Sequence, residues 1–161
     1  MSLRIITTGG TFDKHYDPIA GALSFSRSHL DQICARARLS VPFSVEVLML
    51  IDSLDMDETD RAAVLAACRA APERQIVVIH GTDTMVETAA AIGAAALDKT
   101  VVLTGAMVPY EVADSDALFN LGFALGCAAQ LGAGTWIAMN GVVHRWDRVR
   151  KNRARGVFEA L

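Results

Sequence analysis

Five short apolar runs, each too brief for a helix and each followed by a helical or polar stretch, constrain what this chain can fold into. They are Arg4 to Thr8, Val45 to Ile51, Gln75 to His80, Thr100 to Thr104 and Thr135 to Asn140. Runs such as Ile76-Val77-Val78-Ile79 are apolar throughout rather than alternating, as strands covered on both faces are, and such strands belong to parallel sheets. Helical segments lie between them. Ser28, with Asp31 three residues on, marks a capping arrangement for a helix through about Leu39, and Asp57 caps a helix that carries Ala62, Val64, Leu65 and Cys68. Val86 to Leu97 is an Ala-rich helix and Asp116 to Leu131 a further one. Repeated strand–helix alternation predicts an α/β fold: a doubly wound, mainly parallel sheet with helices on both faces and right-handed crossovers. Asn140-Gly141 between apolar residues marks a tight turn that begins a closing hairpin.

At 161 residues the chain is expected to form one domain, with no internal repeat, low-complexity tract or interdomain linker. Its 52% hydrophobic and 20% charged residues exclude disorder, and a formal net charge of -3 offers nucleic acid no general attraction. Cys34, Cys68 and Cys127 are odd in number, lack metal-ligand spacing and sit within helical apolar patterns, which predicts buried thiols in a reducing compartment. Met1-Ser2-Leu3-Arg4-Ile5-Ile6 enters a strand at once without a signal-peptide layout, so the expected location is cytoplasmic. Ala117 to Val143 carries no charge and is long enough to span a bilayer, but Asn120, Gln130 and Gly132-Ala133-Gly134 divide it. A buried helix followed by a buried strand, not a membrane segment, is the expectation.

Two of the strands run into turns rich in glycine and threonine: Thr8-Gly9-Gly10-Thr11 and His80-Gly81-Thr82-Asp83-Thr84. In a flavodoxin-like or Rossmann-like sheet the turns after the first and third strands share a crevice if those two strands are neighbours at the switch point. Glycines there allow close backbone approach, and amides at a helix start can face a carboxylate or a developing oxyanion. Neither turn has the G-x-G-x-x-G or phosphate-loop pattern, so a nucleotide cofactor is not expected. By itself a Gly-Gly-Thr turn is an ordinary turn, and Thr82-Asp83-Thr84 an ordinary helix cap. The functional reading needs both turns together. The run from His144 to Arg153, basic with one aromatic, reads alone as a solvated arm or a nucleic-acid patch, and the acidic balance of the chain opposes the latter. His80 reads as a buried hydrogen-bonding residue, and His15 and His144 have no metal-ligand spacing.

Thr8-Gly9-Gly10-Thr11 and His80-Gly81-Thr82-Asp83-Thr84-Met85 resemble the two signature segments of the bacterial-type L-asparaginases, amidohydrolases with a threonine nucleophile. Ile51-Asp52-Ser53-Leu54-Asp55-Met56 and Leu103-Thr104-Gly105-Ala106-Met107 are similar to two further segments of that family, and Lys151, eleven positions after Asn140, falls where it keeps a lysine. The resemblance runs in family order over nearly the whole chain. It implies that Thr11 attacks a side-chain amide to form an acyl-enzyme, with Tyr16 as the tyrosine that this turn suggests for activating it. It further implies that Lys151 tunes Thr82, that Asp83 balances the lysine, and that the Thr82 amide stabilises the oxyanion. Substrate contacts are implied for Gly10, Ser53, Gly81, Thr82, Asp83 and Ala106, with no metal or other cofactor. The chain departs from the family where Leu54 replaces glutamine and Val108 replaces arginine. The resemblance implies that residues 1–161 are the N-terminal type of domain, and the family's smaller C-terminal domain is expected to be absent.

The expected function is hydrolysis of L-asparagine to L-aspartate and ammonia. The alternatives are a non-catalytic amino-acid-binding or regulatory domain, and an amidase acting on glutamine or a larger amide. The apolar helices Ala89 to Leu97 and Ala117 to Leu131 supply more apolar surface than one small sheet covers, which predicts a homodimer or higher homo-oligomer.

Overall fold

In the computed structural model, which describes residues 2–161, the five apolar runs are five parallel strands. Strand β1 (Leu3–Gly9) enters a one-turn helix α1 (Gly10–Asp13), and a small hairpin, β2 (His15–Asp17) and β3 (Ala22–Ser24), follows. Helix α2 (Leu30–Arg36) leads to β4 (Phe43–Ile51), and a 3-10 turn at Ser53–Asp55 precedes α3 (Glu58–Ala70). Then come β5 (Gln75–Ile79), α4 (Met85–Ala94), β6 (Thr100–Thr104), α5 (Ala117–Gln130) and β7 (Gly134–Met139). Strand β8 (Val142–Arg145), a 3-10 turn at Trp146–Arg148, and a two-stranded ribbon of β9 (Val149–Asn152) and β10 (Val157–Ala160) complete the described chain.

The sheet order is β4-β1-β5-β6-β7-β8, parallel except for β8. The order reverses at β1, so the switch point lies between β1 and β5, which meets the condition for the two threonine turns to share a crevice. Ile5, Val77, Val102 and Ala138 face one core together with Leu30, Ile33 and Cys34 of α2 and Ala117, Leu121 and Ala124 of α5. On the opposite face Ile6, Val78, Leu103 and Ile137 pack with Val64 and Cys68 of α3 and Met85, Ala89 and Ile92 of α4.

That distribution corrects the expectation of uniformly right-handed crossovers. Helices α2 and α5 share a face, yet β1 to β4 steps across the sheet in one direction and β6 to β7 in the other. Two parallel crossovers on the same face that move in opposite directions have opposite hands. The connections through α2, α3 and α4 share the usual right hand, so the one through α5 is left-handed. The connection has the length to do this: residues 105–116 leave the end of β6 and cross over the strand ends before α5 starts.

Local signals decide the element ends. Asp57 accepts from the amides of Thr59 and Asp60 at 2.7 and 3.0 Å, and Asp60 accepts from the amide of Asp57, a complete capping box at the start of α3. The Ser28–Asp31 arrangement does not form. His29 occupies the N-cap position of α2, and the Ser28 hydroxyl accepts from the Leu30 amide at 3.3 Å while donating to Asp13 at 3.1 Å, with no bond to Asp31. That helix stops at Arg36 rather than near Leu39, and Arg38 adopts a left-handed φ of 51°. Asn140 and Gly141, at φ 53° and 80°, form the two-residue turn joining β7 to β8, the conformation that such hairpins require. Cys34 and Cys68 are buried, Cys127 is half-buried, and all three are free thiols. Among the described residues no helix is long and apolar enough to cross a membrane.

Candidate active site

Glycines let the turns after β1, β5 and β4 meet at the carboxyl end of the sheet. Gly10 has a φ of 63°, and a methyl group on it would lie 2.4 Å from the amide nitrogen of Gly81. A methyl group on Gly81 would lie 2.6 Å from both Cβ and Oγ of Ser53. The Thr11 turn therefore rests on the Thr82 turn, and the Thr82 turn on Ser53. Gly105 lies so close to the His80 carbonyl that a methyl group there would come within 2.3 Å of its oxygen, which brings the Ala106 turn in from β6.

Lys151 projects into this cluster from β9. Its Nζ donates to Thr82 Oγ1 at 2.6 Å and to Asp83 Oδ1 at 2.7 Å, and its side chain is only 7% exposed while that of Asp83 is 39% exposed. Because the ammonium donates, the Thr82 oxygen accepts, and the hydroxyl hydrogen turns to Met107 Sδ at 3.5 Å. Arg153 holds the Asp83 carbonyl at 3.2 Å. The ribbon that carries Lys151 is anchored by buried Val149 and Phe158, and Arg150 pairs with Glu159 across it at 2.8 Å. The basic run is thus neither a free arm nor a uniform positive face. A lysine held by a hydroxyl and a carboxylate is an arrangement able to move a proton to or from the threonine.

Thr11 sits on α1, half-buried, and its hydroxyl has no hydrogen-bond partner among the described residues. Tyr16 lies just beyond on the β2–β3 hairpin, opposite Leu23 and 59% exposed, with no hydrogen bond to Thr11. Ser53 is buried: its Oγ accepts from the Thr84 amide at 3.4 Å and its carbonyl from the Thr84 hydroxyl at 2.8 Å. Ala106 is buried in the core, while Leu54 is exposed.

Behind the cluster lies a layer of buried polar groups. His80 Nδ1 donates to the Gly81 carbonyl at 2.7 Å, so Nε2 accepts from Thr88 Oγ1 at 2.8 Å. Burial drives its pKa down to about 4, reinforced by Arg61 and only partly opposed by the Gly81 carbonyl, which leaves a neutral imidazole beneath the Thr82 turn. Asn120 donates to the Gly105 carbonyl at 3.0 Å and to Asp116 at 2.9 Å, and accepts from the Asn140 amide at 2.9 Å. Asp116 in turn binds the Met107 and Val108 amides. In the sequence Asn120 registers only as an interruption of an uncharged stretch. Its one legible signal is a lone polar residue on an apolar helix, which demands partners when buried. Asp13, Lys14 and Asp52 carry no such signal, and the fold alone pairs Lys14 with Asp52 and surrounds Asp13 with Thr7, Ser28 and His29.

The asparaginase N-terminal family matches residues 2–159 of the chain. L-asparaginase 1 of Escherichia coli K12 is 30% identical over 172 residues, covering 99% of this chain and 50% of the relative. A subunit of the glutamyl-tRNA(Gln) amidotransferase of Thermococcus kodakarensis is 32% identical over 164 residues, covering 93% of this chain and 37% of the relative. The chain therefore spans at most about half the length of these curated relatives. Among solved structures, the thermostable L-asparaginase of Thermococcus kodakarensis superposes with a TM-score of 0.89 at 27% identity, covering all of this chain and 51% of that one.

Proposed function

The chain belongs to the asparaginase family of amidohydrolases, and on that premise we propose that it hydrolyses L-asparagine to L-aspartate and ammonia through a threonine acyl-enzyme. Thr11 attacks the side-chain amide carbon. The oxyanion that forms is stabilised by the Thr82 amide, ammonia leaves after protonation, and water then cleaves the ester to release aspartate. Lys151, Thr82 and Asp83 shuttle the protons, Ser53 and the turn amides hold the α-carboxylate, and Asp83 holds the α-ammonium. Tyr16 activates Thr11 from the hairpin. Gly10 and Gly81 let the substrate lie against the two turns, and the Ala106 carbonyl faces the departing amide nitrogen. No metal or cofactor enters any step.

The observation that most supports this reading is Lys151 Nζ held between Thr82 Oγ1 and Asp83 Oδ1, in a turn stacked through Gly81 on the Thr11 turn. Binding an amino acid needs no such proton-transfer group. Ammonia release from a panel of amides, by the wild type and by Thr11→Ala, tests it. Release from asparagine that persists in Thr11→Ala would refute the nucleophile. The similarity to part of a glutamyl-tRNA(Gln) amidotransferase favours one second reading, an amidase acting on glutamine or a tRNA-linked amide, and the same panel separates the two. We place the protein in the cytoplasm, consistent with its free thiols, and expect it to act as a homodimer or higher homo-oligomer without nucleic-acid or membrane partners.

A further inference from the structure

Lys14 and Asp52 join the two turns that would hold opposite ends of the substrate. Lys14 ends α1: its amide donates to the Thr11 carbonyl at 3.3 Å, and its ammonium reaches Asp52 Oδ2, on the residue before Ser53. Asp52 is not free to follow the lysine, because its Oδ1 caps the Ser53–Asp55 turn by accepting from the Leu54 amide at 3.0 Å. The two side chains are 19% and 29% exposed. Burial pushes the Asp52 carboxyl up, but Lys14 and the Leu54 amide outweigh it and hold the group below its ordinary value, so Asp52 is a carboxylate at neutral pH.

A second acid restrains α1 from the other side. Asp13 is fully buried and accepts from Thr7 Oγ1 at 2.7 Å, Ser28 Oγ at 3.1 Å and the His29 amide at 3.0 Å. A helix of one turn has almost no stability of its own, so these ties fix where Thr11 stands. Asp13 secures it to β1 and the approach to α2, whereas Lys14 alone ties it by side chain to the turn of Ser53.

We propose that the Lys14–Asp52 ion pair determines the substrate length the site accepts, by fixing the Thr11 turn against the Ser53 turn. The inference rests on the reading of Thr11 as nucleophile and Ser53 as carboxylate anchor. A substrate held by its α-carboxylate presents its amide at a distance set by its methylene count, and glutamine is one methylene longer than asparagine. With the two turns locked, only the shorter amide meets Thr11 in an attacking geometry. When the lock is lost, asparagine loses alignment more than glutamine does.

Steady-state kinetics on both amides, for the wild type, Lys14→Met, Asp52→Asn, the double variant and Lys14→Arg, test this, with near-UV circular dichroism to confirm folding. The expected result is that the asparagine-to-glutamine ratio of kcat/KM falls about tenfold in Lys14→Met and in Asp52→Asn, within the roughly 10²-fold that a misplacement of 1 Å costs. The loss should lie in kcat for asparagine, the double variant should fall no further, and Lys14→Arg should restore the ratio. A merely structural pair would lower both amides alike and leave the ratio unchanged, which overturns the proposal. So does a rise in KM alone for both amides, which would make Lys14 a direct substrate contact. A wild type that hydrolyses neither amide refutes the asparaginase reading itself, and the ruler with it.

Discussion

Acidification should destabilise this protein through one buried histidine. His80 carries a folded pKa of about 4 against an ordinary 6.5 because burial disfavours its charged form. Between those values the unfolded chain binds a proton that the folded chain refuses. Stability contributed by the neutral ring is therefore complete above pH 6.5 and is lost progressively as pH falls to 4. The 2.5-unit difference corresponds to about 3 kcal/mol, a substantial part of the ~5–15 kcal/mol that holds an ordinary domain together. Through the middle of that window the slope should approach about 1.4 kcal/mol per pH unit. The carboxylates held below their ordinary values, Asp52, Asp57 and Glu73 among them, lose their contribution only below those values of 3.8 to 4.5, so the range above pH 5 is dominated by the ring. Urea denaturation at pH 7.5, 6.5, 5.5 and 5.0 would be compared between wild type and His80→Gln. The variant forfeits hydrogen bonds to Gly81 and Thr88 at every pH, so the slopes and not the absolute stabilities are to be compared. Equal slopes in the two proteins would refute the assignment of the acid loss to His80.

Thr11→Ala should abolish ammonia release while moving the urea midpoint little, because the hydroxyl has no partner to lose; a variant retaining wild-type turnover would remove Thr11 from the chemistry. Lys151→Met should cost about 10²-fold or more in kcat, with Asp83 left without its cation, as measured by coupled ammonia assay. Gly10→Ala should destabilise by about 2–4 kcal/mol in urea, since the methyl group meets the Gly81 backbone at a left-handed φ, and an unchanged midpoint would show that the turns are not stacked. Light scattering at micromolar concentration should give a dimer or larger, with Leu118 and Phe119 on the outer face of α5 as the apolar surface to be covered; a monomer contradicts it.

Local features were legible in the chain. Apolar runs produced the buried parallel strands β1, β5 and β6, though β4 at the sheet edge is only half-buried, Asp57 and Asp60 produced a capping box, and Asn140-Gly141 produced a hairpin turn, because each of these is decided by residues within a few positions of one another. The alternation of elements left the strand order open, and only the assembled sheet sets β1 beside β5. What the chain could not disclose depends on groups far apart in sequence. Ser28 reads as half of a capping pair with Asp31, but its proton goes to distant Asp13 and its oxygen to the Leu30 amide, and the basic run around Lys151 reads as an arm until Phe158 and Val149 fold it onto the core. The left hand of the α5 crossover shows only in the assembled sheet, where α5 lies on the same face as α2. Likewise Asn120, Lys14 and Asp52 acquire their roles only where turns from different strands converge. Hydrophobic periodicity and short-range hydrogen bonding are written along the chain, whereas the partners of buried polar and charged groups are chosen by packing, and packing exists only in three dimensions.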